Sequence, residues 1–396
     1  MRKSRLSVGA DLFVRIKSAI AAAEASGRKL IPLAVGQPTG AAFLEARRAA
    51  AVAVMSEAEA MHQYQDVWSP GVPNFAERFV QTHVKTKLAR QSVDFLPIPG
   101  IKSILKTVII ASRCSSERLK VRTMTAPGYG VPATWCKGHF RDFITHTEVS
   151  LNPRNRFLFD PSFDLENLTH GLLMLNYPHA PSGQIASQEW LWRVCRFCEA
   201  QNIRIFNDAA YTALVHAPKN HSTLTDVAVE FPNLSWAEAF SASKALGNTT
   251  GWRIGAVAGS PDFVDDVRTV KSSDDAGFVA FAAAGVIEGF EKYAHLIEAN
   301  RKVYARRLRL LIKCLRSKGM RLAVQPKAGF FTLWLTPKRA FGRDIASAED
   351  FNFLMLQRTR IFGVHFPPYL RYAVVGDVEA ALPEIGAAFE AAKVAY

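Results

Sequence analysis

The sequence predicts an α/β fold with a largely parallel sheet, and three observations carry that expectation. Short apolar runs alternate with amphipathic segments from about residue 76 to 258. Such alternation builds parallel sheets, because each crossover helix covers a sheet face. The residues richest in chemistry follow the carboxyl ends of those runs, where open α/β sheets bind ligands. After about residue 276 the pattern becomes a long helical stretch and then closely spaced strands, which reads as a smaller α+β unit.

The strands expected in the larger part are 120–125 (KVRTMT), 171–176 (GLLMLN), 203–207 (IRIFN), 236–241 (WAEAFS) and 253–258 (RIGAVA). Amphipathic segments at 76–90 and 186–201 are the connecting helices. In LPIPGIKSILKTVIIA, 96–111, a glycine precedes an apolar-periodic helix. The later part predicts helix over 276–318, strands at 321–325, 329–335 and 370–375, and a last helix at 378–394. A helix over about 10–27 is expected to pack against this smaller unit.

Composition narrows the function classes. With 49% hydrophobic and 21% charged residues over 396 positions, the chain can bury a sizeable core in two or three lobes and is not a disordered polymer. No apolar run approaches the roughly 18 residues of a membrane span. The basic start, MRKSRLSVGADLF, is not followed by an apolar stretch with a cleavage site, so a cytoplasmic protein is expected. Cys114, Cys136, Cys195, Cys198 and Cys314 are too few and odd in number for a disulfide framework. The Cys195–Cys198 CxxC lies in an amphipathic helix with no second CxxC, so packing is expected there and no metal site. His62, His139, His170, His216 and His365 show no ligand spacing.

The net charge is +14, which raises the possibility of a nucleic-acid partner. The densest basic stretch, 301–321, interleaves its charges with Val303, Leu308, Leu311, Ile312 and Leu315 at helical spacing. That pattern is a solvated helix face. The expectation is therefore no nucleic acid and no membrane, with the charge steering small anions toward a site.

Three segments carry the chemistry. In SASKALGNTTGWRIG, 241–255, a strand ends in Ser241, and Ser243, Lys244 and Arg253 follow. A lysine whose pKa is lowered by burial or cationic neighbours forms an imine with an aldehyde, and Ser241 and Arg253 can grip a phosphate beside it. In IFNDAAY, 205–211, Asp208 follows an apolar strand directly, with Tyr211 three residues on. A carboxylate there can keep a pyridine nitrogen protonated, or it can serve as a helix cap. Gly100 opens a helix whose exposed N–H groups can bind phosphate.

Taken together, these segments resemble the class I/II aminotransferases of the fold-type I pyridoxal-phosphate enzymes, from about residue 30 onward. The resemblance implies a mostly parallel seven-stranded sheet in a large domain and a smaller α+β domain. It divides the chain into an N-terminal segment, 1–40, a large pyridoxal-phosphate-binding domain, 41–280, and a small domain, 281–396. It implies pyridoxal 5'-phosphate as cofactor, a homodimer, and transfer of an amino group between an amino acid and a 2-oxo acid. In LAVGQP, 33–38, Gly36 would lie beside the substrate carboxylate. In YQDVWSPG, 64–71, Tyr64 would reach the phosphate of the neighbouring subunit, with Trp68 close by. GIKS, 100–103, is similar to the phosphate-binding helix start, with Gly100, Ile101 and Lys102. APGYG, 126–130, places Tyr129 over the cofactor ring. Asp208 and Tyr211 match D-x-x-Y, which puts Asp208 on the ring nitrogen and Tyr211 on the phenolic oxygen. Ser241, Ser243, Lys244 and Arg253 match S-x-S-K and its arginine, making Lys244 the cofactor lysine. In LRYAVV, 370–375, Arg371 would bind the substrate α-carboxylate.

The chain also departs from the family. NYPHAPSG, 176–183, has Ala180 where the family has an asparagine donating to the phenolic oxygen, with His179 next to it. The interval from Lys244 to Arg253 is one residue longer than usual, and RIFGVHFPPYLRY, 360–372, is a shortened loop. These differences admit an alternative reaction on the same scaffold, such as β-elimination, γ-substitution or cyclisation, or a non-enzymatic cofactor-binding module. His179 and His365 become candidates for substrate contact, whereas Phe330 and Phe331 are expected to pack the small domain.

Overall fold

The computed structural model describes residues 12–396 apart from 26, 28, 29, 32, 66–68, 90 and 113–117, so Trp68 and Cys114 lie outside the described residues. Seven strands form the main sheet: β1 (Asp94–Ile98), β2 (Leu119–Ala126), β3 (Ile144–Ser150), β4 (Leu172–Leu175), β5 (Arg204–Asp208), β6 (Trp236–Ser241) and β7 (Gly255–Gly259). Their order is β1-β7-β6-β5-β4-β2-β3. β7 runs antiparallel to both neighbours, and every other pair is parallel. β4, β6 and β7 are buried along their whole length, as expected of strands covered on both faces.

Each strand expected for this sheet overlaps an observed one, with ends shifted by one or two residues in three of them (171–176, 203–207 and 253–258), and two more appear. β1 contains Pro97, which argues against a strand unless it lies at an edge, and β1 is an edge. β3, the other edge, reads ITHTEVS and is only partly buried, so it lacks a continuous apolar run. The helix expected over 76–90 is shorter, Phe75–Gln81. Beyond it the backbone N–H groups of Lys85 and Thr86 donate to Asp226 Oδ1 (2.7 and 2.9 Å) instead of continuing a helical ladder.

The stretch 276–318 is two helices, Ala280–Lys292 and Ala294–Ser317. In the second, Leu308, Leu311, Ile312 and Leu315 are buried, while Val303 is 41% exposed and sits outside the apolar stripe. A four-stranded antiparallel sheet follows, ordered Val364–Phe366, Tyr369–Ala373, Phe331–Leu335, Leu322–Val324. The segment 360–372, expected as a loop, supplies its first strand, the turn at Pro367–Pro368 and most of its second strand. Helix α1 (Leu12–Ala25) packs Ile16 in a cluster with Leu356, Phe362, Val364 and Phe366. Cys195 and Cys198 are buried in helix Gln188–Ala200, where burial pushes both thiols up. Among the described residues no helix is long and apolar enough to cross a membrane.

Candidate active site

A cleft of about 740 Å³ opens beyond the carboxyl ends of β4, β5 and β6 and is closed on its far side by the smaller sheet and α1. Eleven of the expected cofactor- and substrate-binding residues line it: Gly36, Ile101, Lys102, Tyr129, Asp208, Tyr211, Ser241, Ser243, Lys244, Arg253 and Arg371. Gly100 lies directly behind Arg253, and Tyr64 lies away from the cleft, 79% exposed.

Asp208 is the last residue of β5 and is buried. Burial pushes its carboxyl up to about 6, against the opposing pull of the Ala210 N–H and of Lys244. The Ala210 N–H donates to Oδ1 at 3.2 Å, but no helix begins at Asp208, since the next helical turn is Thr212–Leu214 with Tyr211 before it. Lys244 follows β6 and is partly open to the cleft. Desolvation lowers its amine to about 8, with Arg253 and Arg371 adding to the shift and Asp208 opposing it. The Nζ lies 5.2 Å from the centroid of the Tyr211 ring. A free amine is therefore available near neutral pH, which is the condition for attack on an aldehyde.

Beside the lysine is a cup for an anion. The helix Ile101–Ala111 begins at Gly100, with φ 79° and no side-chain cap, leaving its first N–H groups for a ligand. A β-carbon at Gly100 would lie 2.4 Å from Arg253 Nη2, so only glycine suits both the backbone angle and the guanidinium. Ser241 Oγ donates to Ser243 Oγ at 3.0 Å and accepts from the Ser243 N–H at 3.2 Å. The chain reaches Arg253 through a 3₁₀ turn, Thr250–Trp252, whose Thr250 carbonyl accepts from Arg253 Nη1 at 3.0 Å. Arg253 itself has a left-handed backbone, φ 56°, a strained setting typical of functional sites. Hydroxyls, helix N–H groups and a guanidinium, with no carboxylate among them, fit a phosphate.

At the other end, Arg371 is buried between two phenylalanines, its Cζ 4.1 Å from the Phe331 ring centroid and 5.4 Å from that of Phe366. Nη2 donates to the Ala34 carbonyl at 3.1 Å. A β-carbon on Gly36 would be 3.5 Å from the same nitrogen, so Gly36 borders the guanidinium. Burial lowers Arg371 to about 10, and it stays cationic at neutral pH. Phe331 thus belongs to the cleft rather than only to the small-unit core expected for it, whereas Phe330 is fully buried there.

The two histidine candidates turn away. His179 is buried beside Phe157 and Tyr177, its Nδ1 2.7 Å from Ser182 Oγ, and burial lowers it to about 3. His365 is buried against Asn352 and is not part of the lining. Ala180 does line the cleft, as does Asn176, whose Nδ2 donates to the Asp208 carbonyl at 3.0 Å. The Ala180 N–H donates to Asn176 Oδ1 at 3.1 Å. Behind them the fully buried Glu238 accepts from Asn207 Nδ2 at 2.7 Å and from Thr225 N and Oγ1, each at 2.7 Å. Asn207 in turn bonds both backbone groups of Tyr177, so the β5 end and the Asn176–Ala180 loop are tied into one frame.

Sequence reasoning missed Asn176, Thr250, Phe366 and the α1 residues Ile16, Ile20 and Glu24 of the lining. Asn176 had a signal, a polar residue at the end of the apolar run of β4. The α1 residues recur every four positions, but that pattern says only that one helix face is covered.

A lowered lysine, a buried carboxylate and an anion cup on this sheet define a fold-type I pyridoxal-phosphate protein. The cofactor carries the aldehyde, the pyridine nitrogen and the phosphate for which these groups are suited. The chain belongs to the class I and II aminotransferase family, whose description matches residues 28–380. It is 32% identical to the LL-diaminopimelate aminotransferase of Methanocaldococcus jannaschii over 256 residues, 63% of this chain and 59% of that protein. It is 25% identical to the LL-diaminopimelate aminotransferase of Dehalococcoides mccartyi strain CBDB1 over 382 residues, 92% and 89% of the two chains. The match thus spans less than two thirds of the methanogen protein's length and most of the Dehalococcoides one. In fold it is similar to the aspartate aminotransferase of Rhizobium meliloti, with TM-score 0.83 and 20% identity over 99% of this chain and 98% of that one. Substrate-bound BacF from Bacillus subtilis gives TM-score 0.80 and 18% identity over 97% and 95%.

Proposed function

We propose that this chain moves an amino group between an amino acid and a 2-oxo acid, with Lys244 as the cofactor lysine and the proton carrier. The observation that carries the reading is the amine of Lys244, lowered to about 8 in the same cleft as the buried Asp208 and the anion cup. Pyridoxal phosphate, when bound, supplies an aldehyde for the amino group and an electron-withdrawing ring. Ser241, Ser243, Arg253 and the N–H groups of Ile101 and Lys102 hold the phosphate, and Gly100 admits it. Asp208 holds a proton on the ring nitrogen, a task suited to a carboxylate that a cation restores to its ionised form. Tyr129 covers the ring and Tyr211 donates its hydroxyl to the phenolic oxygen. Arg371, beside Gly36, grips the substrate α-carboxylate, and the freed Nζ of Lys244 moves the proton at the substrate α-carbon.

The test is to mix the holoprotein with single amino acids, glutamate and alanine among them. A transaminase turns the cofactor into its pyridoxamine form and releases a 2-oxo acid. Ammonia release with the aldehyde form retained would reject transamination.

The second reading, elimination, substitution or cyclisation on the same scaffold, is favoured by one observation, Ala180 in the cleft wall. With Ala180, Tyr211 is the donor left for the phenolic oxygen, since His179 faces elsewhere. Restoring an amide by Ala180→Asn stabilises the phenolate by roughly 1.5–3 kcal/mol. The visible absorbance of the holoprotein therefore titrates about one to two pH units lower in the variant. An unchanged midpoint would show that another donor already serves this oxygen.

The proposal includes the division into 1–40, 41–280 and 281–396 and a cytoplasmic homodimer without nucleic-acid or membrane partners. Several basic groups of helix Ala294–Ser317 are answered by acids, Lys302 by Glu298, Arg306 by Glu379 and, at its end, Lys318 by Glu390, which favours a solvated face. The dimer rests on Tyr64, an aromatic 79% exposed in the single chain and suited to reach a neighbour's phosphate. Sedimentation at micromolar concentration is expected to give twice the monomer mass. A fully active monomer would remove this role of Tyr64.

A further inference from the structure

The basic stretch 301–321 predicts a solvated helix face, and part of that face is hollow. Along helix Ala294–Ser317, Arg301, Ala305 and Arg309 recur at steps of four and so form one stripe. The two arginines start about 12 Å apart along the axis. Opposite the stripe runs the segment 216–220, and the two walls enclose a groove of about 560 Å³ that also takes in Lys219, Lys302 and Glu298. Ala305 ends at its β-carbon, which leaves room between the arginines.

The second wall is held in place. The His216 N–H donates to the Lys327 carbonyl at 2.8 Å, and its ring Nε2 donates to the Gly329 carbonyl at 2.9 Å. Lys85 Nζ donates to the Lys219 and His221 carbonyls at 3.3 and 2.5 Å. A ligand meeting such a wall has less chain to order. Four cations, Lys219, Arg301, Lys302 and Arg309, share the groove with one carboxylate, Glu298, which Lys302 answers at 2.7 Å. The surplus positive charge converges. Burial lowers His216, the Gly329 and Pro326 carbonyls oppose that, and Arg301 and Arg309 both lower it further. Two guanidinia of one helix thus act on a single imidazole in the facing wall.

We infer that this groove binds a small molecule carrying two or more phosphate groups, with Arg301 and Arg309 each forking onto one of them and Lys219 reaching in from the other wall. A chain of phosphates spans the interval between the arginines with both side chains relaxed, whereas a single phosphate draws both inward. The net charge of +14 steers such polyanions toward the protein. The groove and the cleft have no described lining residue in common, so this site is separate from the proposed reaction.

The test is calorimetry on the holoprotein, whose own phosphate cup is filled by cofactor, with inorganic tripolyphosphate as the probe. Tripolyphosphate is expected to bind at least about tenfold more tightly than orthophosphate, since it engages a second charged group. Arg301→Gln and Arg309→Gln are each expected to weaken it at least about fivefold. Glu298→Gln is expected to tighten it about threefold, because Lys302 is released and a like charge removed. Damage to the fold cannot imitate that gain. Visible absorbance, and turnover without tripolyphosphate, stay unchanged in all three variants, since none of these residues lines the cleft. No binding of millimolar tripolyphosphate, equal binding of orthophosphate, or an affinity unmoved in both arginine variants would overturn the inference. So would weaker or unchanged binding in Glu298→Gln. A single-stranded oligonucleotide that binds more tightly than tripolyphosphate, and is lost in the same arginine variants, would make the groove a nucleic-acid contact instead.

Discussion

Lys244→Ala is expected to lose turnover by at least roughly 10²–10⁴-fold, the range that proton transfer by a placed group contributes. The loss is larger still because the cofactor's anchoring amine goes with it. The variant keeps the phosphate cup, since Ser241, Ser243, Arg253 and the helix start at Gly100 do not depend on the lysine for their contacts. It therefore still binds cofactor, but without the visible band of the attached form. In the native protein, borohydride fixes the cofactor, and peptide mapping is expected to find it on Lys244. A label on another lysine would defeat the assignment. The pH dependence follows from the lowered amine. Only the neutral form attacks an aldehyde, so capture of added cofactor by the apoprotein rises as pH passes about 8 and levels off above it. Were the amine as basic as an ordinary exposed lysine, capture would still be rising at pH 10.

The reason Lys244 could be found without coordinates is local. It stands three residues after an apolar strand, among serines and before a glycine-rich turn, and that order alone suggests a strand end carrying chemistry. Asp208 at the end of β5 and Gly100 at a helix start are legible in the same way, because each is fixed by its own element. The central strands were legible too, since burial on both faces leaves mostly apolar runs, as in Leu172–Leu175 and Gly255–Gly259. β1 and β3 were not, because edge strands need not be apolar throughout and Pro97 is tolerated only there.

The wall around Arg371 illustrates what local patterns cannot carry. Phe331 looks like core packing in sequence, and it is buried, yet its ring also lies on a guanidinium 40 positions away in the chain. Ile16 and Phe366 meet across nearly the whole length of the sequence. His179 misleads in the opposite sense. Its place next to Ala180 suggests a replacement donor, but the turn sends consecutive side chains to different sides, His179 into the core and Ala180 into the cleft. Neighbours in a loop share a position and not a direction, and direction comes only from the packed structure.

Arg371→Ala is expected to raise KM for amino-acid substrates by about thirty-fold to several thousand-fold, the equivalent of roughly 2–5 kcal/mol for a charge-assisted pair lost from a buried site. Arg371→Lys is expected to be impaired as well, for two separate reasons. An ammonium presents no planar fork to a carboxylate, and it cannot lie flat between Phe331 and Phe366 as the guanidinium does. Cofactor binding should survive in both variants, because the phosphate donors sit at the other end of the cleft. A second readout separates loss of the binding charge from general damage. Arg371 is one of the cations that lower the Lys244 amine. Removing it relieves the ammonium form, so the pH at which the apoprotein captures cofactor moves upward in Arg371→Ala and stays nearer its native value in Arg371→Lys, which keeps the charge. The measurements are KM and kcat for one good substrate and the pH profile of cofactor capture in all three proteins. An unchanged KM in Arg371→Ala would place the substrate carboxylate elsewhere. A raised KM with an unmoved pH profile would keep the carboxylate contact but break the electrostatic link from Arg371 to Lys244.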